Sequence, residues 1–321
     1  MKRLTGLFQR KRNTTLGVNI CGETARIVGL SRRTGPGYIL RAAGEIPLPF
    51  ECIGEDGSVL APRDIVYALE ETTHQFQGEY ISATIRGDML TILHLTLPAM
   101  KAAQLESALL WEAENLFGQD SNQLVLDYLV MGDAAEKSDD QMNIMLAAVP
   151  RDLAWQYYDV LVHCGLKPIS LEIEPIALAR ALSLMESRKT PKETQALIDL
   201  DRDYINFALL RGAQLLYAQS FQLGKIGGPR NHTGEGVSFW LDSLMSQIIP
   251  ILDHYRKDQG LDIGMGILTG VGANEPGLME AAQTDLNLPL IKGEIHLDTA
   301  EEKILLAPQF SIAAGLASGF P

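Results

Sequence analysis

A pattern of three short strands joined by tight turns occurs twice in this chain of 321 residues, and no other feature constrains the fold as strongly. The first copy covers 16–20, 25–30 and 38–46, separated by Cys21-Gly22-Glu23 and by Arg33-Thr34-Gly35-Pro36-Gly37. The second covers 195–200, 204–210 and 214–221, joined by Asp201-Arg202-Asp203 and Arg211-Gly212. In both copies helices and strands then alternate. A helix at 62–75 and a strand at 80–86 follow the first triplet. A turn containing Gly224, Gly227 and Gly228, a helix at 236–258, a strand at 265–269 and helices at 275–284 and 311–318 follow the second. The repetition lies in the order of elements and predicts two related α/β lobes.

The first copy carries an extra piece. A strand at 90–97 ends at Pro98, and a helix at 101–117 places Ala102, Leu105, Leu109, Ala113 and Leu116 at helical spacing, which reads as a core stripe. A strand at 124–130 and a polar loop at 133–140 complete an α+β insert. The strand at 142–149 is almost wholly apolar and should be central. A helix at 151–163 closes on Gly165, a strand spans 169–173, and a helix at 175–186 starts with Pro175. Polar residues 187–194 form the linker. The expected organisation is a basic tail (1–15), a first lobe (16–87 and 141–187), an inserted subdomain (88–140) and a second lobe (195–321).

Apolar residues make up 46% and charged residues 21%, a globular balance. The net charge of −13 argues against nucleic acid as a partner. Lys2, Arg3, Arg10, Lys11 and Arg12 make the start locally basic, interleaved with Leu4, Leu7 and Phe8. This tail reads either as an idle extension or as a tether to an anionic membrane surface, each basic residue contributing about 1 kcal/mol. No window has the roughly 18–20 apolar residues of a membrane span, and a cytoplasmic location is expected. Cys21, Cys52 and Cys164 are widely spaced and read as buried free thiols. The six histidines show no metal-ligand spacing. Glu172 and Glu174 share one face of a strand in this reading; with no His or nucleophile nearby in sequence, an edge or interdomain role outweighs acid–base work.

Duplicated halves with a turn after each first strand suggest a nucleotide cleft. Turn backbone would meet phosphates, and a strand-end carboxylate would hold hydrated magnesium. The candidate cofactor residues are Asn19, Gly22 and Thr24 in the first turn and Asp199 and Asp201 in the second. Gly270, Gly272 and Ala273 form a third loop, which follows a buried strand and opens a helix, where a flat adenosine group could lie on bare backbone. The bland readings are turn residues bonding their own backbone and a tight strand-to-helix turn.

Several segments, in order, resemble the type IV pilus assembly protein PilM family and its MshI-type relatives, actin-like proteins of the FtsA superfamily. They are Leu16-Gly17-Val18-Asn19-Ile20-Cys21 after a basic start, Leu95-Thr96-Leu97-Pro98-Ala99-Met100, and Leu126-Asp127-Tyr128. Cys164-Gly165-Leu166-Lys167-Pro168, the run from Leu171 to Leu178, and Ala314-Gly315-Leu316-Ala317 continue the series. The resemblance implies a duplicated actin-like (RNase H-like) α/β fold. It also implies a cytoplasmic ring component at the inner membrane that links assembly motors to the periplasmic complex. Such a component binds the cytoplasmic N-terminal peptide of PilN in a groove between the first subdomain and the insert. Several members bind ATP between the halves.

The sequence departs from the family at the phosphate turns. Asn19 and Cys21 replace its Asp and Gly, Asp201 replaces a Gly, and Val271 replaces another. Pro229-Arg230-Asn231-His232 leads quickly into the long helix, so the second-lobe subdomain over the nucleotide is expected to be shortened. The reading is a non-catalytic adaptor of an MSHA-like pilus or a type II secretion-like platform, with no cofactor or weakly bound ATP and magnesium. Its partners would be a PilN-like membrane protein, other platform and motor proteins, the membrane surface and further copies of itself. An ATPase or small-molecule kinase of the same superfold is the alternative. A filament former is ranked below both, since the chain ends at Gly319-Phe320-Pro321 without a C-terminal membrane helix.

Overall fold

The computed structural model describes residues 14–76, 79–118, 121–131, 141–185, 193–223, 235–299 and 302–319. The basic tail, most of the linker and the loop at 133–140 lie outside them. So does the stretch 224–234, where the glycine turn and the shortened subdomain are expected.

The elements are β1 (Thr14–Cys21), β2 (Thr24–Arg32), β3 (Tyr38–Pro47), α1 (Pro62–Thr73), β4 (Tyr80–Thr84), β5 (Thr91–Pro98), α2 (Ala102–Phe117), β6 (Leu124–Met131) and β7 (Gln141–Pro150). Then come α3 (Arg151–His163), β8 (Lys167–Glu172), α4 (Glu174–Ala181), β9 (Thr194–Leu200), β10 (Tyr204–Arg211), β11 (Gln214–Gln222), α5 (Glu235–Asp253) and β12 (Ile263–Gly270). The chain closes with α6 (Leu278–Leu286), β13 (Leu290–Lys292), β14 (Ile295–Asp298), β15 (Lys303–Leu306) and α7 (Ser311–Ser318).

The duplication is visible in the sheets. One has the order β15-β14-β3-β2-β1-β4-β8, the other β11-β10-β9-β12-β13. In each, an antiparallel triplet is followed by parallel strands on the far side of its first strand. Alternation along the first strands explains how the lobes meet. Leu16, Val18 and Ile20 face the core under α1 and α3. Ala196, Ile198 and Leu200 face the core under α5 and α6. The intervening residues of both strands point toward the other lobe. There α4 and α7 lie between the sheets, with Ala177, Ala181, Ala313, Ala314 and Ala317 allowing close approach. Gly17 is required in this layer, because a Cβ there would stand 2.0 Å from the Ala313 carbonyl oxygen.

Three boundaries differ from the sequence reading. β7, expected in the first lobe, is the middle strand of a separate sheet, β5-β7-β6. Its apolar run reflects burial on both faces: Ile144 and Leu146 pack under Leu105 and Leu109 of α2, and Met145 packs toward Ile173 and Ala218. β14 and β15, expected in the second lobe, extend the first sheet, where Asp298 pairs with Ile39. α7 also packs on β1, β2 and α4. Finally, Glu174 opens α4 instead of ending a strand.

The insert is pinned to the second lobe. The His94 ring stacks on Tyr217 at 4.2 Å, and its Nε2–H donates to the Ala218 carbonyl at 2.9 Å. Burial holds the imidazole below its usual pKa, partly offset by that hydrogen bond. All three cysteines are free and buried, as expected.

Candidate functional site

The inward-facing polar residues of the two hairpins converge at the strand ends. Asn19 lies opposite Arg26 in the first hairpin, and Asp199 lies opposite Asn206 at the matching place in the second. Each strand-end group takes a hydroxyl from the neighbouring parallel strand. Thr84 donates to Asn19 at 2.8 Å, and Thr269 donates to Asp199 at 2.8 Å. The two halves have therefore kept the same polar arrangement, with an amide in one and a carboxyl in the other.

Between them runs an ion pair. Arg26 crosses from β2 to the second lobe and donates to both oxygens of Asp201, at 3.0 and 3.2 Å. Its Nε donates to Glu45 at 2.8 Å. Arg26 and Asp201 are each only 3% exposed. Burial alone would raise the Asp201 pKa, but the charge and hydrogen bonds of Arg26 override it and hold the carboxyl at about 2. Asp199 behaves in the opposite way. Burial, then the Asp201 charge, push it up to about 7, with Thr269 partly offsetting them. One carboxyl of this pair is ionised and its neighbour holds its proton to near neutrality. The indole of Trp240 supports the turn by donating to the Asp201 carbonyl at 3.2 Å.

These residues do not fit a magnesium nucleotide. Asn19 and Asp199 are 1% and 2% exposed, the Oδ1 of each already accepts a threonine hydroxyl, and the unpartnered Asn19 Nδ2 is a donor that cannot ligate a cation. Gly22 does sit in the first turn with Thr24 opening β2, yet it faces Asp203, whose Oδ2 would stand 2.7 Å from a Cβ at Gly22. Two carboxylates, Asp201 and Asp203, occupy the turn that would have to receive phosphates. The third loop is closed as well. Gly270 packs on the Leu200 backbone, Gly272 on its side chain, and Ala273 is buried within a 3-10 turn spanning Val271–Asn274. The helix opens only at Leu278, so this loop offers no flat bed of bare backbone.

The sequence marks the turns and Asp201 but not Arg26, Thr84, Arg86, Tyr204 or Thr269. The available signal is pairwise: a lone arginine in an apolar strand and an aspartate in place of a turn glycine, both in hairpins of the duplicated halves. Glu172, the other half of the carboxylate pair noted in the sequence, is bound by Arg180 at 2.7 Å. Glu174 reaches the lobe junction, where Asn206 donates to it at 2.9 Å.

A second feature lies between the first lobe and the insert. It is an open groove of about 700 Å³ lined by Ser58, Asp88, Met89, Gln123, Asp152 and Gln156, among others. α3 supplies one wall and the start of the insert the other. Gln156 is held in place by the Val59 N–H, which donates to its Oε1 at 2.8 Å.

Solved structures share this architecture. The PilM–PilN type IV pilus biogenesis complex aligns with a TM-score of 0.77 at 21% identity, over 94% of this chain and 97% of that one. The ethanolamine utilization protein EutJ from Carboxydothermus hydrogenoformans aligns at 0.54 and 11%, over 96% and 93%. The cytoplasmic domain of EpsL, an inner membrane component of the type II secretion system of Vibrio cholerae, aligns at 0.51 and 14%, over 96% of each chain. These likenesses show the two-lobe actin-like fold. The sequence profile of the type IV pilus assembly protein PilM matches residues 17–230, and the chain belongs to that family.

Proposed function

We propose that the protein is a non-catalytic adaptor of a type IV pilus, MSHA-like, or of a type II secretion-like inner-membrane platform. It binds the cytoplasmic N-terminal peptide of a PilN-like membrane protein in the groove between the first lobe and the insert. The observation that carries this reading is the groove itself, whose volume of about 700 Å³ takes several side chains of an extended peptide. Its charge suits the partner. Cytoplasmic segments beside a membrane span carry excess Lys and Arg, and the groove is lined by the acids Asp88 and Asp152 against one cation, Arg151. Membership of the PilM family and the fold shared with a PilM–PilN complex support the same partner.

The interlobe cleft has a structural role in this reading. The Arg26–Asp201 pair joins the lobes from within, and no nucleotide is turned over. The protein works in the cytoplasm at the inner membrane, aided by its basic tail, and assembles with other platform and motor proteins and with further copies of itself.

Fluorescence anisotropy with a synthetic peptide of the PilN-like protein's cytoplasmic N-terminus tests the groove. The peptide is expected to bind with a Kd of roughly 10 µM or tighter. Asp152→Lys, at an exposed position of α3, should weaken it about tenfold by reversing a groove charge. No saturable binding by the wild-type chain would overturn the reading.

A further inference from the structure

The residues between β4 and β5 belong to both the cleft and the groove. Arg86 turns into the cleft, where it is 5% exposed. Its guanidinium lies 4.2 Å over the Tyr204 ring and donates to the Ile20 carbonyl at 3.4 Å. It stands 3.7 Å from the Glu174 carboxylate, which Asn206 of the second lobe also holds. Two residues on, Asp88 borders both the cleft cavity and the groove. On the cleft side its carboxylate faces the side chain of Gln222, at the end of β11, whose amide donates to it when turned with its NH2 toward Asp88. The groove wall is thus tied to the second lobe at two points.

The backbone between these points is locked. Gly87 has φ +116° and crosses Gly57 so closely that a Cβ on it would stand 2.3 Å from the Gly57 Cα. Asp88 N–H donates to the Glu55 carbonyl at 3.1 Å, and Met89 N–H to the Asp56 carbonyl at 3.2 Å. Ser58, on the crossing loop, is itself a groove residue. Any displacement of Arg86 therefore moves Asp88, Met89 and the opposing loop together.

The cleft side has room for such a displacement. A cavity of about 150 Å³ is bordered by Arg86, Asp88, Glu174, Tyr204 and Gln222. Arg86 Nε and Nη2 and Glu174 Oε1 are buried there without a hydrogen-bond partner. At 3.7 Å the pair is an ion pair without a hydrogen bond. A second arrangement is within reach, a direct Nε–H bond to Oε1, which draws the loop toward α4.

We propose that Arg86 and Gln222 couple closure of the lobes to the shape of the groove, so that the second lobe regulates partner binding. This rests on the groove being the peptide site. Arg86 acts as a positioning residue, since it does not line the groove.

The test compares the wild-type chain with Arg86→Lys and Gln222→Ala, using the same PilN-like peptide. Gln222 is exposed, so its truncation leaves folding intact. Both variants are expected to weaken the peptide about tenfold, and the peptide should reciprocally slow hydrogen exchange in the second lobe at 204–206. Hydrogen exchange of the free proteins gives an independent readout: the Asp88 and Met89 amides should exchange faster in Arg86→Lys. Wild-type affinity in both variants, with unchanged exchange at Asp88 and Met89, would overturn the coupling. If the wild-type chain does not bind the peptide, the groove assignment fails, and the exchange comparison still decides whether Arg86 controls the loop.

Discussion

Replacing Arg26 with alanine should lower the free energy of unfolding in urea by about 3–5 kcal/mol, because it strands a buried charge. Asp201 is 3% exposed and takes two hydrogen bonds from that guanidinium. Without it, the buried carboxylate would stand beside Asp199 and Glu174 with only the more distant charge of Arg86 to offset them. Asp201→Ala should cost less, because the guanidinium keeps Glu45, whose side chain is 41% exposed. Removing both charges, as Arg26→Met with Asp201→Leu, should recover most of the loss, since the pair is then deleted as a unit. Strictly additive losses would contradict a direct pair.

Asp199→Asn should stabilise the protein at alkaline pH. The folded-state pKa of about 7 lies above the ordinary value of 3.8. The folded chain thus holds this proton more tightly than the unfolded chain. The stability contributed is complete below pH 3.8, falls as pH rises through 7, and is gone above it. At about 1.4 kcal/mol per pH unit of separation, the gain from asparagine above pH 8 is roughly 2–4 kcal/mol. Asparagine is already the solution at the matching site, where Asn19 accepts from Thr84. Urea unfolding between pH 5 and 9 checks it. Wild type should lose stability across the neutral range relative to the variant. Parallel profiles would show that Asp199 does not titrate there.

The strand triplets are legible in the sequence because each is local: alternation and turn chemistry fall within a few residues of one another. The helices are legible for the same reason, with Ile65 and Leu69 of α1 buried at helical spacing. β13, β14 and β15 are only three to four residues long, and β14 finds its partner in β3 at the other end of the chain. No local pattern encodes that pairing. β7 misleads because a run buried on both faces looks the same in a large parallel sheet and in a three-stranded insert. The cleft is half legible. Asp201 stands out in a turn that resembles a glycine turn, yet its partner lies 175 residues away in sequence, where Arg26 reads as an ordinary strand residue.

The most direct measurement is a calorimetric titration of the full chain with Mg-ATP, combined with an assay for phosphate release. With the Arg26–Asp201 pair bridging the two phosphate turns, no saturable heat is expected up to about 1 mM nucleotide, and no phosphate above background. Micromolar binding, with or without turnover, would contradict phosphate turns occupied by the protein's own charges.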